Sequence, residues 1–234
     1  MSMSFIDDIE TSQKKLYLQK FTTYGDDARS LSWNDRKTQY LRFSKISELF
    51  KYQRNDGSNF TVHEVGCGLA HFKEFLNECG YNCTYSGSDI IAEFIEQDKM
   101  RHPSNEFFQN NIAADYQTIN ENIKNKDYYC LSGTCHTKED NSDDDWNKFI
   151  SRAIKNMFKM ANKAICINFL STYSYFFDKR LYYCDPRVIT DYAVKNLSRF
   201  VVVSHDVPLF EFFVYIYKEE FIRTVFAGYD KYFK

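Results

Sequence analysis

The chain has 234 residues and a net charge of -2, and 44% of its residues are hydrophobic. Its length fits one large domain, or one domain with an appendage, and its apolar content excludes disorder across the whole chain. The near balance of charges provides no field that would attract a nucleic-acid backbone or an anionic lipid surface. We therefore expect a globular protein that binds neither nucleic acid nor a membrane.

The apolar and cysteine patterns bear on location. The richest apolar run, residues 164–170 (AICINFL), is much shorter than the ~20 residues that cross a bilayer. The N-terminus carries acids where a secretory signal needs bases. The seven cysteines show neither a CxxC pair nor a zinc-ligand spacing. We expect reduced, mostly buried thiols and a cytoplasmic protein, and the sequence does not indicate its oligomeric state.

Apolar spacing predicts two helices near the N-terminus, at 5–20 and 35–52. From Phe60 onward, short apolar runs alternate with helical segments. The predicted strands are 60–65, 83–90, a short one near Phe107, 127–133, 164–170, 199–205 and 211–217. The predicted helices between them are 70–79, 92–101, 144–161 and 186–196.

This alternation predicts an α/β fold, namely a Rossmann-like, mostly parallel seven-stranded sheet with helices on both faces. Only residues 206–210 separate the last two strands, which is too short for a crossover helix, so we expect a C-terminal antiparallel hairpin. We divide the chain into an N-terminal helical cap (1–58) and an α/β domain (59–234).

The most informative motif is HEVGCGLAHF (63–72), which joins the first strand to its helix. Gly66 and Gly68 allow a tight turn and close approach of a ligand. A dinucleotide fingerprint needs a third glycine at position 71, where this chain has histidine. Glu64, at the strand end, favours a cationic or hydrogen-bond-donating ligand over a pyrophosphate, and S-adenosylmethionine meets that requirement.

A second acid, Asp89, ends the next strand, where a carboxylate can accept hydrogen bonds from both hydroxyls of a ribose. The alternative is that Asp89 only caps the helix that follows. Because the glycine turn lies upstream, we favour the ribose role.

These residues resemble those of class I S-adenosylmethionine-dependent methyltransferases, with EVGCG (64–68) as the first motif and GSDI (87–90) as the second. The resemblance covers residues 60–217 and includes the closing hairpin. It implies that Cys67 and Ile90 contact the cofactor within these motifs and that Asn111 and Ile112 flank the adenine. Ser132 and Gly133, at the end of the fourth strand, would then lie beside the methionine part. Ala70 stands where a third glycine is common, which reduces the flexibility of the turn.

The segment YGDDARSLSW (24–33), followed by Arg42, resembles the cap of small bacterial methyltransferases that modify capsule and surface polysaccharides, including by O-methyl phosphoramidate. The resemblance implies that Tyr24 and Trp33 pack on the cofactor and that Arg42 binds its carboxylate. The alternative is that Trp33 is a core anchor and Arg42 a solvated helix residue.

Methyl transfer to a hydroxyl requires alignment of the reactants and usually a general base. His136, after the fourth strand, and His205, at the end of the sixth, are the two candidates. We prefer His205, with Asp206 beside it, although a histidine in that turn could also only cap backbone groups.

The segment 171–187 is rich in tyrosine and arginine and follows the fifth predicted strand. It provides candidate substrate-binding residues, which are Tyr173, Tyr175, Arg180, Tyr183 and Arg187. The same tyrosines could instead form a lid that excludes water. The acidic run 139–146 lacks the glycine and terminal glutamate of a calcium loop, so we expect no metal.

We therefore expect an S-adenosylmethionine-dependent methyltransferase that acts on a small polar acceptor. Two alternatives stay open, a nicotinamide-dependent oxidoreductase and a methyltransferase-like binding module without catalysis.

Overall fold

The structure, a computed structural model, describes residues 5–53 and 58–233. Its helices are α1 (Phe5–Tyr24), α2 (Arg36–Ser47), α3 (His71–Glu78), α4 (Ala92–Arg101), α5 (Asp143–Met160), α6 (Pro186–Asn196) and α7 (Glu219–Val225). Its strands are β1 (Phe60–Val65), β2 (Cys83–Asp89), β3 (Glu106–Gln109), β4 (Tyr128–Leu131), β5 (Ala164–Ser171), β6 (Tyr183–Cys184), β7 (Val201–Ser204) and β8 (Glu211–Tyr217). A short 3-10 turn, Ala28–Leu31, lies between α1 and α2.

The strands form one mixed sheet in the order β3-β2-β1-β4-β5-β8-β7, and β6 pairs with the end of β5. Strands β1 to β6 pair in parallel, whereas β8 is antiparallel to both β5 and β7. The strand order reverses between β1 and β4. In an open α/β sheet this reversal opens a crevice at the carboxyl ends of the strands.

Alternate residues of the central strands pack on opposite faces of the sheet, as the period of two requires. One face buries Val65, Leu131, Ile165 and Ile167 with residues of α1, α5 and α6. The other buries Val62, Tyr128, Cys130 and Cys166 with residues of α2, α3 and α7. Both faces are therefore covered by helices.

The predicted α/β fold, the mostly parallel sheet and the closing antiparallel pair are confirmed. The sheet has eight strands rather than seven because the chain after β5 returns to pair Tyr183 and Cys184 with the end of that strand. Helix α7 was not predicted, since Ile222 is its one buried residue and little periodicity results. The division at residues 58 and 59 stays a prediction.

Within the described ranges, none of the helices has the length and apolar character needed to span a membrane.

Candidate active site

A cavity lies at the carboxyl ends of β1, β2 and β4, where the strand order reverses. Its volume is about 940 Å³ including its mouth. The loops after these strands form its floor, and residues of α1 together with Leu31 and Trp33 cover it. Its position is the one in which open α/β sheets bind their ligands.

The turn after β1 requires glycine at two positions. Gly66 and Gly68 have left-handed backbones, with φ of +69° and +56°. A Cβ at Gly66 would lie 2.2 Å from Oγ1 of Thr134, and one at Gly68 would lie 2.6 Å from Cδ2 of Leu31. Ala70 also has a positive φ, 52°, which is strained for a residue with a side chain. The turn is therefore both tight and closely covered.

Glu64 lies in the cavity wall, and its carboxylate accepts a hydrogen bond of 2.5 Å from the hydroxyl of Tyr85. Burial raises the pKa of Glu64 well above its usual value, although the bond from Tyr85 opposes this shift. A buried carboxyl group of this kind becomes charged when a cation or further hydrogen-bond donors compensate it. Glu64 is thus suited to a cationic or donor-rich ligand.

Asp89 also lies in the wall of the cavity and is linked to the glycine turn. Its Oδ2 accepts from the backbone N–H of Gly68 at 3.0 Å, and its Oδ1 accepts from that of Ile91 at 3.0 Å. Burial raises the pKa of Asp89 to about 6, against the effect of these bonds. Each oxygen keeps a second lone pair, so the carboxylate can still accept from ligand hydroxyls.

The remaining predicted cofactor residues divide into two groups. Those that line the cavity are Trp33, Cys67, Ile90, Asn111, Ile112, Ser132 and Gly133. Tyr24 lies elsewhere, exposed beneath the guanidinium of Arg29. Arg42 is buried and ion-paired with Glu211, with Nε 2.9 Å from each carboxylate oxygen. Their roles toward a cofactor stay predictions.

Among the residues that the structure describes, two polar atoms of the cavity region are buried without a hydrogen-bond partner. They are Oγ of Ser132 and Nδ2 of Asn110, on the loops after β4 and β3. Unsatisfied buried polar atoms are costly, and clusters of them indicate that a ligand completes the site. The chemistry of these groups fits a nucleoside ligand that carries both donors and acceptors.

The two candidate bases have different surroundings. His205 is exposed and its ring stacks on that of Tyr173, with centroids 6.1 Å apart. His136 is buried, its ring meets Trp33 edge-on at 6.0 Å, and its Nε2 has no partner. Burial lowers the pKa of His136, so its imidazole is neutral near pH 7. Trp33 lies between His136 and the cavity.

The predicted substrate residues lie on the segment after β5, outside the cavity wall. Tyr173 and Tyr175 are exposed, and Arg180 and Arg187 are ion-paired with Asp178 and Asp185. The hydroxyl of Tyr183 accepts from the backbone of Asp178 at 3.1 Å. The segment is attached to the loop after β4, because the N–H of Tyr182 donates to the carbonyl of His136 at 2.8 Å.

Sequence reasoning missed several residues of the cavity. Glu10, Gln13 and Tyr17 of α1 line it, although they lie far from the glycine turn along the chain. A weak signal existed at Gln13, a polar residue on the apolar side of α1, which donates to the carbonyl of Thr137 at 2.9 Å. His71 was also not predicted as a residue of the site. It is buried in the cavity wall and contacts Gln39 and Asp26.

The acidic run caps a helix. Ser142 is the N-cap of α5 and its hydroxyl accepts from the N–H of Asp145 at 3.1 Å, while Asp143 to Asp145 form the first turn. Acids at this position interact favourably with the helix dipole. In the part of the chain that the structure describes, no group of three or more His, Cys, Asp or Glu residues could hold a metal.

The chain was compared with protein-family models, with curated protein sequences and with solved structures. No protein-family model matches the chain. A Mycobacterium tuberculosis protein named "Putative methyltransferase Rv1506c" is 25% identical over 166 residues, which cover 70% of this chain and 96% of that protein.

The magnesium protoporphyrin IX methyltransferase of Synechocystis, solved with bound S-adenosylmethionine, has a TM-score of 0.62 at 13% identity over 93% of this chain and 98% of that one. The bifunctional kinase-methyltransferase WbdD has a TM-score of 0.52 at 15% identity over 75% of this chain, but only 39% of that one.

The fold is that of class I methyltransferases, and the chain is similar in sequence to a protein named as a putative methyltransferase. The predicted resemblance to this class is confirmed. The prediction of S-adenosylmethionine as the cofactor agrees with the ligands bound in the two structures of the Synechocystis enzyme, S-adenosylmethionine and its demethylated product. At 13 to 15% identity, the structural similarities themselves establish the fold alone.

Proposed function

We propose that this protein uses S-adenosylmethionine to methylate a hydroxyl group of a small polar acceptor, a sugar or a phosphorylated or phosphoramidate metabolite, in the synthesis of bacterial capsule or surface polysaccharide. The observation that carries the proposal is that Glu64, the Gly66–Gly68 turn and Asp89 line one cavity at the reversal of strand order. A cytoplasmic location is part of the proposal, and the seven free thiols support it.

The described residues fit the methyl donor. Asp89 would accept from the ribose hydroxyls, Asn111 and Ile112 would flank the adenine, and the buried hydroxyl of Ser132 would find a partner in the methionine part. Glu64 would provide negative charge for the amino group or the sulfonium. When bound, S-adenosylmethionine supplies an electrophilic methyl group.

His136 is the better candidate for the general base, in place of the sequence-based preference for His205. Its Nε2 is buried, has no partner and belongs to the loop that borders the cavity, whereas His205 is exposed and stacked on Tyr173. A neutral imidazole can accept the proton of a hydroxyl group. Because Trp33 lies between His136 and the cavity, Trp33 has to shift before an acceptor reaches Nε2.

The acceptor class rests on two features. The segment after β5 presents exposed rings, Tyr173 and Tyr175, beside the Arg180–Asp178 and Arg187–Asp185 pairs, a combination suited to sugar faces and anionic groups. The resemblance of residues 24–43 to the cap of polysaccharide-modifying methyltransferases also favours a sugar. The fold does not select the acceptor, since one protein of this fold is described as a porphyrin methyltransferase.

Calorimetric titration of the protein with S-adenosylmethionine, S-adenosylhomocysteine and NAD tests the donor site. We expect the two adenosyl ligands to bind and NAD not to bind. Asp89→Ala should abolish binding, whereas Asp115→Ala, which removes an exposed aspartate paired with Arg152, should not affect it. Thermal unfolding is a second measure of binding. A ligand at ~100 times its dissociation constant stabilises the folded protein by about 2.7 kcal/mol, which raises the midpoint of thermal unfolding by roughly 5 to 10 °C for a chain of this size.

Two outcomes would contradict the proposal. Binding of NAD without binding of the adenosyl ligands would support the alternative oxidoreductase function. Binding of the adenosyl ligands without turnover on any sugar, sugar phosphate or phosphoramidate would support a binding module without catalysis.

A further inference from the structure

Glu211 is a buried carboxylate that sequence reasoning did not identify. It is the first residue of β8, and its side chain receives donors from two other elements. Arg42 of α2 donates from Nε, 2.9 Å from each oxygen, and also from Nη2. Asn168 of β5 donates from Nδ2 at 2.9 Å. Donors from α2 and β5 thus hold the carboxylate, which is carried by β8.

The same hydrogen bonds continue to the loop that carries His136. Oδ1 of Asn168 accepts from the backbone N–H of Gly133 at 2.8 Å. The carbonyl of Gly133 in turn accepts from the backbone N–H of His136 at 2.9 Å. Glu211 is therefore connected through Asn168 to the turn in which His136 lies.

Two charged groups act on the imidazole of His136, namely Glu211 from β8 and Arg42 from α2. Burial is the largest effect and lowers the pKa of His136, attraction to Glu211 raises it, and repulsion by Arg42 lowers it. Burial would also raise the pKa of Glu211, but attraction to His136 and Arg42 and its hydrogen bonds keep it below its usual value. Glu211 is thus charged, and its charge acts on the imidazole of His136.

Besides Glu211, a hydrogen bond with the backbone of Asn168 also favours a positive charge on the imidazole by raising the pKa of His136. Its Nε2 is buried without a partner, and the edge of Trp33 covers the ring. Arg42 stacks on the face of Trp33, with its guanidinium carbon 4.3 Å from the ring centroid. A proton on Nε2 would therefore be unstable without a nearby carboxylate.

We propose that Glu211 is a positioning residue for His136: held by Arg42 and Asn168, its carboxylate stabilises the imidazolium that forms when Nε2 takes the proton of the acceptor hydroxyl. In that reaction the acceptor oxygen forms the bond to the methyl carbon, the carbon–sulfur bond breaks with its electron pair going to sulfur, and the hydroxyl proton passes to Nε2. The inference rests on the proposed function, because it assigns the base for the same site.

The test measures the protonation of His136 directly and needs no acceptor. The imidazole signals of the five histidines are followed by NMR as a function of pH, and His136 is assigned from the spectrum of His136→Gln. We expect Glu211→Gln to lower the titration midpoint of His136 by about 1 unit or more, and Arg42→Met to raise it. Glu219→Gln, which removes an arginine-paired carboxylate on α7, should not move it.

Opposite shifts distinguish an electrostatic role from a structural one. If both variants merely loosened the site, water would reach His136 and both midpoints would rise. Shifts in the same direction, or no shift in either variant, would overturn the inference. If Glu211→Gln does not fold, Glu211→Asp replaces it and should give a smaller decrease. Arg42→Lys, which keeps the charge, should restore the midpoint of the unaltered protein.

Binding of S-adenosylmethionine by the unaltered protein is measured in parallel. Failure of that binding would contradict the proposed function and leave the histidine shifts as a separate result. Binding with unchanged histidine midpoints would contradict only the role of Glu211.

Discussion

Trp33 and Gly133 are in such close contact that only a glycine fits beneath the indole. A Cβ on Gly133 would lie 2.3 Å from Cη2 of Trp33, and the φ of Gly133 is +75°. Trp33 belongs to the segment between α1 and α2, and Gly133 follows β4. The segment between α1 and α2 therefore packs directly on the loop after β4, which borders the cavity.

Gly133→Ala should lower the free energy of unfolding by about 2 to 5 kcal/mol, because backbone strain costs about 1 to 2 kcal/mol and overpacking about 1 to 3. Denaturant unfolding measures the change. Gly80→Ala is the matched control, since Gly80 has a φ of +73° with open space around it, and it should lose only the strain energy. Equal losses in the two variants would show that the contact with Trp33 does not restrict position 133.

Binding of S-adenosylmethionine should weaken as the pH falls below about 6. Asp89 has a pKa raised to about 6 by burial, and only its charged form accepts from both ribose hydroxyls. The affinity should decrease by up to about tenfold for each pH unit below that value. Calorimetric titration at pH 7.5 and pH 5 measures the change. Asp89→Asn should bind weakly at both values, and a pH-independent affinity of the unaltered protein would argue against the ribose contact.

His63 should make the fold less stable in mild acid. It lies between the hydroxyls of Ser86 and Ser88, 2.9 Å from each, and burial lowers its pKa to about 3. The unfolded chain binds a proton at this residue below about pH 6.5, whereas the folded chain does not, so stability decreases as the pH falls through this range.

From pH 6.5 to 5 this loss should reach about 2 kcal/mol, and His63→Gln should remove it from the pH profile of unfolding. His205→Gln, which replaces an exposed histidine, should leave the profile unchanged. An identical pH slope for His63→Gln and the unaltered protein would contradict the assignment of a neutral His63.

Trp33 should protect His136 from chemical modification. Diethyl pyrocarbonate acylates accessible neutral imidazoles, and mass spectrometry locates the product. We expect His136 to be unreactive in the unaltered protein and reactive in Trp33→Ala, because the indole covers its ring. Within the same sample, the exposed His205 should always react and the buried His63 never. Rapid labelling of His136 with Trp33 intact would show that the indole does not close this path.

The hydrophobic period of the strands and the glycine turn could be predicted from the sequence because both are local patterns. Strands β1 and β8 and helices α4 and α6 have the predicted bounds. Helix α6 begins with the Asp185 cap and Pro186. The proposed cofactor residues could be predicted for the same reason, because they lie at or next to strand ends. They are Glu64, Gly66, Gly68 and Asp89.

The tertiary contacts of the site residues could not be predicted from the sequence, because the contacting residues come from distant parts of the chain. Arg42 was predicted beside a ligand carboxylate, and the structure pairs it with the carboxylate of Glu211, 169 positions away. His71 was not predicted as a residue of the site, and contacts with Asp26 and Gln39 of the N-terminal segment accompany its burial in the cavity wall.

The sequence by itself determined the class of fold and predicted the position of a candidate cofactor site, because hydrophobic period and glycine geometry act within a few residues. Only the tertiary structure decided which of the two candidate bases, His136 or His205, is buried, which carboxylate acts on His136 and what covers the cavity. These features depend on the contacts that α1 and α2 make with the sheet, including β8. Because these segments are far apart along the chain, no local sequence pattern predicts how they pack.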